Sequence, residues 1–160
     1  MIAIRAVALD VDGVLTDGGF WWGPNGEEFK RFSFADVMGV SLARKAGLIV
    51  ALISGEDSPL VDRYAAKLGI EDVTKNCKDK AGALRRVAQR HGLSNDEIAF
   101  MGDDVNDLDA MEVAGLAAAP ADARPAVLSR AAFVATNSGG NGAVRELIDA
   151  ILAAKSAAKA

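Results

Sequence analysis

The sequence predicts an α/β fold in which a parallel sheet carries helices on both faces. Short apolar runs typical of buried parallel strands alternate with helical segments along the chain. Several of these runs end in small or acidic residues, the pattern of a site at the carboxyl edge of such a sheet. A Gly-rich segment containing both tryptophans predicts one antiparallel hairpin that projects from the sheet. At 160 residues, we expect one domain over 1–160, with the hairpin as a flap at about 18–32.

The composition excludes several classes of partner. A net charge of -4 without a Lys/Arg cluster argues against nucleic acid and against an anionic membrane surface. Cys77 is the only cysteine, which rules out an intrachain disulfide and a zinc site of several thiolates. No apolar stretch has the length of a membrane span, and the first residues lack the signal-peptide pattern. We therefore expect a cytoplasmic protein with no membrane partner.

The first strand begins at Ala6 and ends in two carboxylates, Asp10 and Asp12. Side chains alternate along a strand, so both carboxylates point the same way, beyond the carboxyl edge of the sheet. Two like charges held this close require a cation. The alternative, which these residues alone leave open, is a pair of turn-forming aspartates before Gly13.

The hairpin at 18–32 needs a surface to pack on. Two isolated strands are marginally stable in water, and one of these strands carries Trp21 and Trp22. We expect the hairpin to pack at a subunit interface. The alternative is that it packs on its own domain.

Cap and turn residues bound the remaining elements. Asp36 is expected to cap a helix that runs to about Ala46, and Ser58 with Pro59 to begin a helix that ends near Leu68. The other predicted elements are strand 48–53, strand 72–74, helix 78–91, turn 94–97, strand 98–101, helix 106–113, strand 115–118, helix 123–129, strand 132–135, helix 143–154 and a frayed tail at 155–160.

The candidate catalytic residues follow strands or begin helices, so the fold brings them to one edge. A hydroxyl, an ammonium group and a carboxylate-bound divalent ion at one edge suit a reaction that develops negative charge on oxygen atoms, of which phosphoryl transfer is one. Carboxylates directly after a buried strand suit an octahedral, oxygen-preferring ion. The residues that supply these groups are Asp10, Asp12, Ser54, Lys80, Asp103 and Asp104.

The order of these segments resembles the motifs of the haloacid dehalogenase superfamily of phosphohydrolases, which have a Rossmann-like sheet. The matching segments are Asp-Val-Asp-Gly-Val-Leu-Thr-Asp at 10–17, Ile-Ser-Gly at 53–55, Lys80, and Gly-Asp-Asp-Val-Asn-Asp at 102–107. The resemblance implies that Asp10 is the nucleophile that forms an aspartyl-phosphate and that Asp12 is the general acid and base.

The resemblance also assigns the phosphate and metal contacts. It implies that Ser54 and Lys80 hold the phosphoryl oxygens. It implies that Asp10 and Asp103 bind Mg²⁺ through their side chains and Asp12 through its backbone carbonyl. Asp104 orients this shell or binds through water, and Asn106 and Asp107 are expected in the outer shell or as helix caps.

Members of this superfamily usually carry an inserted cap domain, and the lack of room for one here points to a smaller group within the superfamily. Residues 55–79 are used by one helix and a short strand, and Gly-Gly-Asn-Gly-Ala-Val-Arg-Glu stands at 139–146. This arrangement resembles the capless tetrameric phosphatases of phosphorylated 3-deoxy-2-keto sugar acids, namely 3-deoxy-D-manno-octulosonate 8-phosphate and nonulosonate 9-phosphates. The resemblance implies a small phosphorylated substrate, a homotetramer with hairpins at the interface, and a site completed by a neighbour. The candidate substrate contacts are Gly55, Glu56, Arg63 and Lys67.

Some residues separate this chain from the family pattern. Glu56 and Lys67 resemble the nonulosonate branch, whereas Phe34, Val37 and Tyr64 depart from what is expected at their positions. Two alternatives remain open. One is an accessory subunit similar to the small subunit of phenylphosphate carboxylase, and the other is a phosphatase of phosphoproteins that uses an open site.

Overall fold

The computed structural model describes residues 1 and 3–158 of the chain. Its strands are β1 Ala6–Leu9, β2 Trp21–Trp22, β3 Glu28–Phe29, β4 Ile49–Ile53, β5 Asp72–Thr74, β6 Ile98–Met101, β7 Leu116–Ala119 and β8 Phe133–Val134. Its α-helices are α1 Phe34–Lys45, α2 Pro59–Leu68, α3 Lys80–His91, α4 Leu108–Val113, α5 Pro125–Leu128 and α6 Ala143–Ala157. Short 3₁₀ turns occupy Asn95–Glu97 and Val105–Asp107.

The main sheet has the order β5-β4-β1-β6-β7-β8, and all of its pairs are parallel. β1 lies in the middle, and Leu9 at its end is in register with Leu52 of β4 and Met101 of β6. The chain leaves β1 to one side for β4 and later returns to the other side for β6. The carboxyl ends of these three strands therefore surround the point where the strand order reverses, which is where α/β folds bind ligands.

Two hydrophobic clusters cover the two faces of the sheet, as the sequence predicts. Alternate residues of β1 contribute to each: Val7 and Leu9 to one, Ala6 and Ala8 to the other. The first cluster includes buried residues of α1, α2 and α6, and the second includes those of α3, α4 and α5. β1 is consequently buried on both sides and forms a rigid base for the residues that follow it.

Several element boundaries differ by a few residues from the sequence-based expectation, and those of α1, α3 and α6 have an identifiable cause or consequence. α1 begins at Phe34 with Ser33 at the N-cap position, so Asp36 lies inside the first turn and is not the cap. α3 begins at Lys80 because the Asp79 side chain accepts a hydrogen bond from the Gly82 N–H and sets the start there. α6 runs to Ala157, which includes part of the tail predicted to fray. The last two residues of that tail, 159–160, lie outside the described residues.

Asp36 has a different role from the one predicted, because it caps α6 across the interior of the protein. Its buried carboxylate accepts the N–H of Gly142 at 3.1 Å and that of Arg145 at 3.0 Å. Burial raises the pKa of this carboxyl, although the backbone N–H groups favour its charged form. Asp36 thus fixes the start of α6 against α1.

The loop before α6 packs directly on the turn that follows β1. A Cβ added to Gly139 would lie 1.9 Å from the Gly13 carbonyl oxygen, so only glycine permits this approach. The Gly140 N–H donates to the Val14 carbonyl at 2.9 Å. Asp36 therefore supports, through α6 and this loop, the turn that carries Asp12.

The predicted hairpin consists of β2 and β3, which pair antiparallel with Trp21 opposite Phe29 and Trp22 opposite Glu28. Trp21 is 61% exposed and Trp22 is 73% exposed in the single chain. The hairpin does not bury its aromatic face on its own domain.

Among the described residues, no helix is long and apolar enough to span a membrane.

Replacing Asp36 with Ala is expected to lower the free energy of unfolding by about 1–3 kcal/mol, because two backbone N–H groups lose their buried acceptor. Urea unfolding measures the loss. Asp109→Ala, at an exposed position of α4, is the control and should change stability by less than about 0.5 kcal/mol. Equal stability of the Asp36 variant and the wild type would contradict the capping role.

Candidate active site

A cavity of about 480 Å³ opens at the carboxyl edge of the sheet and is strongly acidic. Its lining contains the cations Lys80 and Arg124 and the carboxylates of Asp10, Asp12, Asp17, Glu56, Asp103, Asp104 and Asp122. Such an excess of negative charge disfavours entry of a phosphate unless a cation is also bound.

Lys80 lies between two carboxylates at the bottom of this cavity. Its Nζ is 2.9 Å from Asp10 Oδ1 and 2.6 Å from Asp107 Oδ1, and its side chain is 2% exposed. Burial alone would lower the pKa of Lys80, but the charges of Asp10 and Asp107 outweigh burial and raise it. Lys80 is therefore a buried ammonium group held against the end of β1.

Three carboxylates could hold a metal ion beside Lys80. One oxygen each of Asp10, Asp103 and Asp107 lies within 4.8 Å of the others. Burial, together with the charge of Asp107, raises the pKa of Asp10 to about 8 and that of Asp103 to about 7, although Lys80 opposes both shifts. Carboxylates that repel one another in this way fit a hard, oxygen-preferring divalent ion, which would relieve the repulsion.

Asp107 was expected as a helix cap or outer-shell residue, and the structure gives its carboxylate three hydrogen bonds, one of which is a capping contact. Its Oδ2 accepts the N–H groups of Asp103 at 2.9 Å and Asp104 at 3.2 Å, while its Oδ1 accepts from Lys80. It thereby links the loop after β6 to α3. The spacing of three residues from Asp104, that of a capping box, is the sequence signal that could have indicated the contact with the Asp104 N–H.

Asp104 lies outside this group of three carboxylates. Its side chain accepts the Val105 N–H at 2.7 Å and is paired with Arg124 Nε at 3.4 Å. A contact of Asp104 with a metal through water stays a prediction.

Gly13 allows the ends of β1 and β6 to approach closely. Its φ is +83°, and a Cβ added there would lie 2.1 Å from Asp103 Oδ2. Any other residue would both strain the backbone and displace Asp103. Glycine at position 13 is thus required by the geometry of the acidic cluster.

Asp12, half-buried at the cavity wall, forms an ion pair that the sequence did not reveal. Lys30, from the segment after β3, places its Nζ 2.7 Å from Asp12 Oδ1. The Lys30 side chain is 4% exposed. No sequence pattern connects these two residues, because the contact depends on how the hairpin folds back.

Ser54 is fully buried at the end of β4, and its Oγ accepts the Glu56 N–H at 3.2 Å. Gly55 and Glu56 line the acidic cavity next to it. The two residues after Ser54 therefore lie at the acidic cavity, and the contact of the Ser54 hydroxyl with a phosphoryl oxygen stays a prediction.

The predicted substrate contacts divide between two cavities. Gly55 and Glu56 line the acidic one, whereas Arg63 and Lys67, on α2, line a second cavity of about 380 Å³. The other residues of this second cavity are Lys30, Phe32, Phe34, Val37, Leu60 and Tyr64. The residues that depart from the family pattern all line this second cavity.

Tyr64 and Phe32 form one wall of the second cavity, with ring centroids 4.8 Å apart. Within the described part of the chain, the buried Tyr64 hydroxyl has no hydrogen-bond partner. Burial raises its pKa above the ordinary value of tyrosine. The second cavity therefore combines an aromatic wall with three cations, Lys30, Arg63 and Lys67.

Comparison with known proteins agrees with this geometry. The haloacid dehalogenase-like hydrolase family matches residues 56–147. The chain is 40% identical over 152 residues to the 3-deoxy-D-manno-octulosonate 8-phosphate phosphatase of Escherichia coli. The aligned region covers 95% of this chain and 81% of that protein.

Two solved structures show the same fold. The Moraxella catarrhalis 3-deoxy-D-manno-octulosonate 8-phosphate phosphatase, in complex with magnesium ion, phosphate ion and a KDO molecule, superposes with a TM-score of 0.94 at 35% identity. That match covers 97% of this chain and 89% of the other. The cobalt-bound phosphatase of Haemophilus influenzae gives a TM-score of 0.93 at 38% identity and covers 96% and 90% of the two chains.

The fold and the acidic site thus define a haloacid dehalogenase-like hydrolase without a cap domain among the described residues. Within that class, the chain belongs to the same family as the 3-deoxy-D-manno-octulosonate 8-phosphate phosphatases.

Magnesium is expected to stabilise the protein more at about pH 8 than at about pH 5. The folded-state pKa values of Asp10 and Asp103, about 8 and about 7, exceed the ordinary value of 3.8. Ionisation of both groups therefore destabilises the ion-free protein as the pH rises through this range, and a bound ion removes that loss. Thermal unfolding with EDTA or saturating Mg²⁺ at each pH measures the difference.

Asp103→Asn is the control for this experiment, because it removes one of the repelling charges. The variant should show a smaller gain from Mg²⁺ at the higher pH. A gain that is the same at both pH values in the wild type would show that these carboxylates do not bind the ion.

Proposed function

We propose that this protein is a Mg²⁺-dependent phosphatase that hydrolyses the phosphate ester of a 3-deoxy-2-keto sugar acid through an aspartyl-phosphate. The observation that carries the proposal is the buried contact of Lys80 with Asp10 beside Asp103, at the carboxyl edge of the sheet. This arrangement supplies a nucleophile, an ammonium group and a set of carboxylates for a metal ion. The relatives named above are phosphatases of 3-deoxy-D-manno-octulosonate 8-phosphate, which favours that substrate.

In the first step, a carboxylate oxygen of Asp10 attacks phosphorus and the bond from phosphorus to the sugar oxygen breaks. Asp12 gives its proton to the leaving oxygen. Lys80 and the Ser54 hydroxyl donate hydrogen bonds to the phosphoryl oxygens, and the Gly55 N–H completes the cradle. The Ser54 oxygen already accepts the Glu56 N–H, so its own O–H remains available to donate.

In the second step, water attacks the phosphorus of the aspartyl-phosphate. Asp12, now a carboxylate, takes the proton from that water. The bond between phosphorus and the Asp10 oxygen breaks, which releases inorganic phosphate and restores the Asp10 carboxylate. The same side chain acts as acid and then as base.

The residues that would hold Mg²⁺ are Asp10, Asp103 and the backbone carbonyl of Asp12, with Asp104 in contact through water. Asp107 is left out of this set because both of its oxygens already accept hydrogen bonds from Lys80 and from backbone N–H groups. When bound, the ion supplies positive charge to the phosphoryl oxygens and to the nucleophile. The acidic character of the cavity makes this charge necessary, since Lys80 and Arg124 are the cations of its described lining.

Glu56 and Lys67 resemble the nonulosonate branch of the family, so a nonulosonate 9-phosphate is a second candidate substrate of the same class. Glu56 lines the acidic cavity, and Arg63 and Lys67 line the second cavity on α2. We propose that these two cations contact the substrate of an adjacent protomer. Neither an accessory subunit nor a phosphoprotein phosphatase is favoured, because the full set of catalytic side chains is present and the relatives act on a sugar acid phosphate.

The exposed aromatic hairpin supports a homotetramer in which the hairpins of the subunits pack together. Trp21 and Phe29 are cross-strand neighbours on one face of the hairpin and are 61% and 58% exposed, so they form an apolar surface that a partner subunit could cover. We extend the proposal to one domain over 1–160 that acts in the cytoplasm. The single buried, reduced cysteine is compatible with that compartment.

Asp10→Asn is expected to abolish phosphate release, because an amide cannot form the acyl phosphate, while the fold survives. The measurement is phosphate release from a panel of sugar acid phosphates, aryl phosphates and phosphopeptides, with and without Mg²⁺. The octulosonate 8-phosphate or the nonulosonate 9-phosphate should be turned over best. Full turnover by the Asn variant, or preference for phosphopeptides, would overturn the proposal.

Replacing Trp21 and Phe29 together with Ser is expected to convert the tetramer into smaller species, because these cross-strand neighbours are exposed on the hairpin. Light scattering measures the mass. Val134→Ser is the matched control, since Val134 is an exposed apolar residue on β8. A monomeric wild type would remove the tetramer from the proposal.

A further inference from the structure

Lys30 contacts Asp12, the second of the two aspartates that follow β1. Its Nζ is 2.7 Å from Asp12 Oδ1 and 3.6 Å from Glu28 Oε1. We propose that Lys30 is a positioning residue for the proton transfers of Asp12: it engages Oδ1 and fixes the carboxylate plane, so that Oδ2 exchanges the proton. This inference rests on the proposed phosphatase function.

The burial of Lys30 supports a dedicated role. An ammonium group removed from water is costly unless it is paired and hydrogen-bonded, and the Lys30 side chain is 4% exposed. Surface lysines that only support a hairpin keep their charged end in water. Asp10 is paired with Lys80 in the same manner, so each carboxylate that acts in the reaction has its own buried lysine.

The hairpin itself holds Lys30 in place. The Trp22 indole N–H donates to Glu28 Oε2 at 3.1 Å, and these two residues are cross-strand partners in the β2–β3 pair. The other Glu28 oxygen lies next to Lys30. A continuous chain of polar contacts therefore runs from the exposed hairpin to Asp12, and the position of the hairpin determines the orientation of the carboxylate.

The role of Asp12 makes the inference testable by the choice of leaving group. A sugar alkoxide needs the Oδ2 proton as its bond to phosphorus breaks, and the electron pair of that bond then forms the new O–H bond. The p-nitrophenolate ion leaves with the electron pair and needs no proton. Hydrolysis of the aspartyl-phosphate needs Asp12 as a base whichever leaving group departed.

The test is Lys30→Met, with the first turnover and the steady state measured on a sugar acid phosphate and on p-nitrophenyl phosphate. On the sugar acid phosphate, kcat should fall about 10- to 100-fold with little change in KM. On p-nitrophenyl phosphate, the first turnover should stay within about threefold of the wild type, followed by slow turnover. The trace should therefore show a burst of p-nitrophenolate, which a merely structural defect would not produce.

Two further variants keep the test decisive. Lys30→Gln retains a donor to Asp12 if the Met variant does not fold, and it should show the same burst with a smaller loss. Lys30→Arg should recover part of the activity on the sugar acid phosphate. Lys75→Met is the matched control, because Lys75 pairs with Asp57 and Asp62 outside both cavities and its loss should leave both substrates unaffected.

The outcomes separate this inference from the proposed function. Wild-type turnover that is lost in Asp10→Asn establishes the phosphatase independently of Lys30. Equal losses on both substrates, including the first turnover, or full activity of the Lys30 variants on the sugar acid phosphate, would overturn the role of Lys30 alone. A wild type that releases no phosphate from either substrate would overturn both.

Discussion

Negative charge concentrated at the end of one buried strand is the constraint on which the rest of this structure depends. Asp10, Asp103 and Asp107 bring carboxylate oxygens within 4.8 Å of one another, and Lys80 is the buried cation in contact with two of them. Removal of Lys80 would leave the Asp10 and Asp107 carboxylates without their buried cation. The parallel order of β4, β1 and β6 is what brings these side chains to one place. A divalent ion completes the balance of charge and prepares the cavity for a phosphate.

The geometry of this cluster is supported from a distance. The loop 139–142 packs on the Gly13 turn, and the buried carboxylate of Asp36 fixes the start of α6 directly after that loop. Asp107 fixes the loop after β6 in a similar way through two backbone N–H groups. Each anchor is a carboxylate that accepts backbone donors, a charge-assisted contact that resists displacement. Such support keeps reactive groups within the small tolerances that catalysis requires.

The hairpin connects the site with the surface of the subunit. Its aromatic residues face outward, whereas Lys30, just beyond β3, reaches inward to Asp12. The second cavity begins at the same place, because Lys30 also lines it together with Arg63 and Lys67. One short segment of chain thus connects the exposed apolar surface, the second cavity and the acidic cavity. Three residues distinguish this chain from the family pattern, namely Phe34, Val37 and Tyr64. They line the second cavity, and the residues proposed for catalysis lie outside its lining.

The sequence by itself determined the fold class, the strand ends that carry Asp10, Ser54 and Asp103, and the start of α2 at Ser58 and Pro59. These features are local: the periodicity of apolar residues and the caps are determined within a few residues, and parallel strands necessarily present their carboxyl ends together. Only the tertiary structure decided which distant groups meet. Lys30 and Asp12 are 18 residues apart, Lys80 and Asp107 are 27 apart, and Asp36 and Gly142 are 106 apart. Such pairs carry no periodic signal, because their contact depends on how whole elements pack; for the same reason the sequence assigned Asp36 to its own helix and did not separate the two cavities.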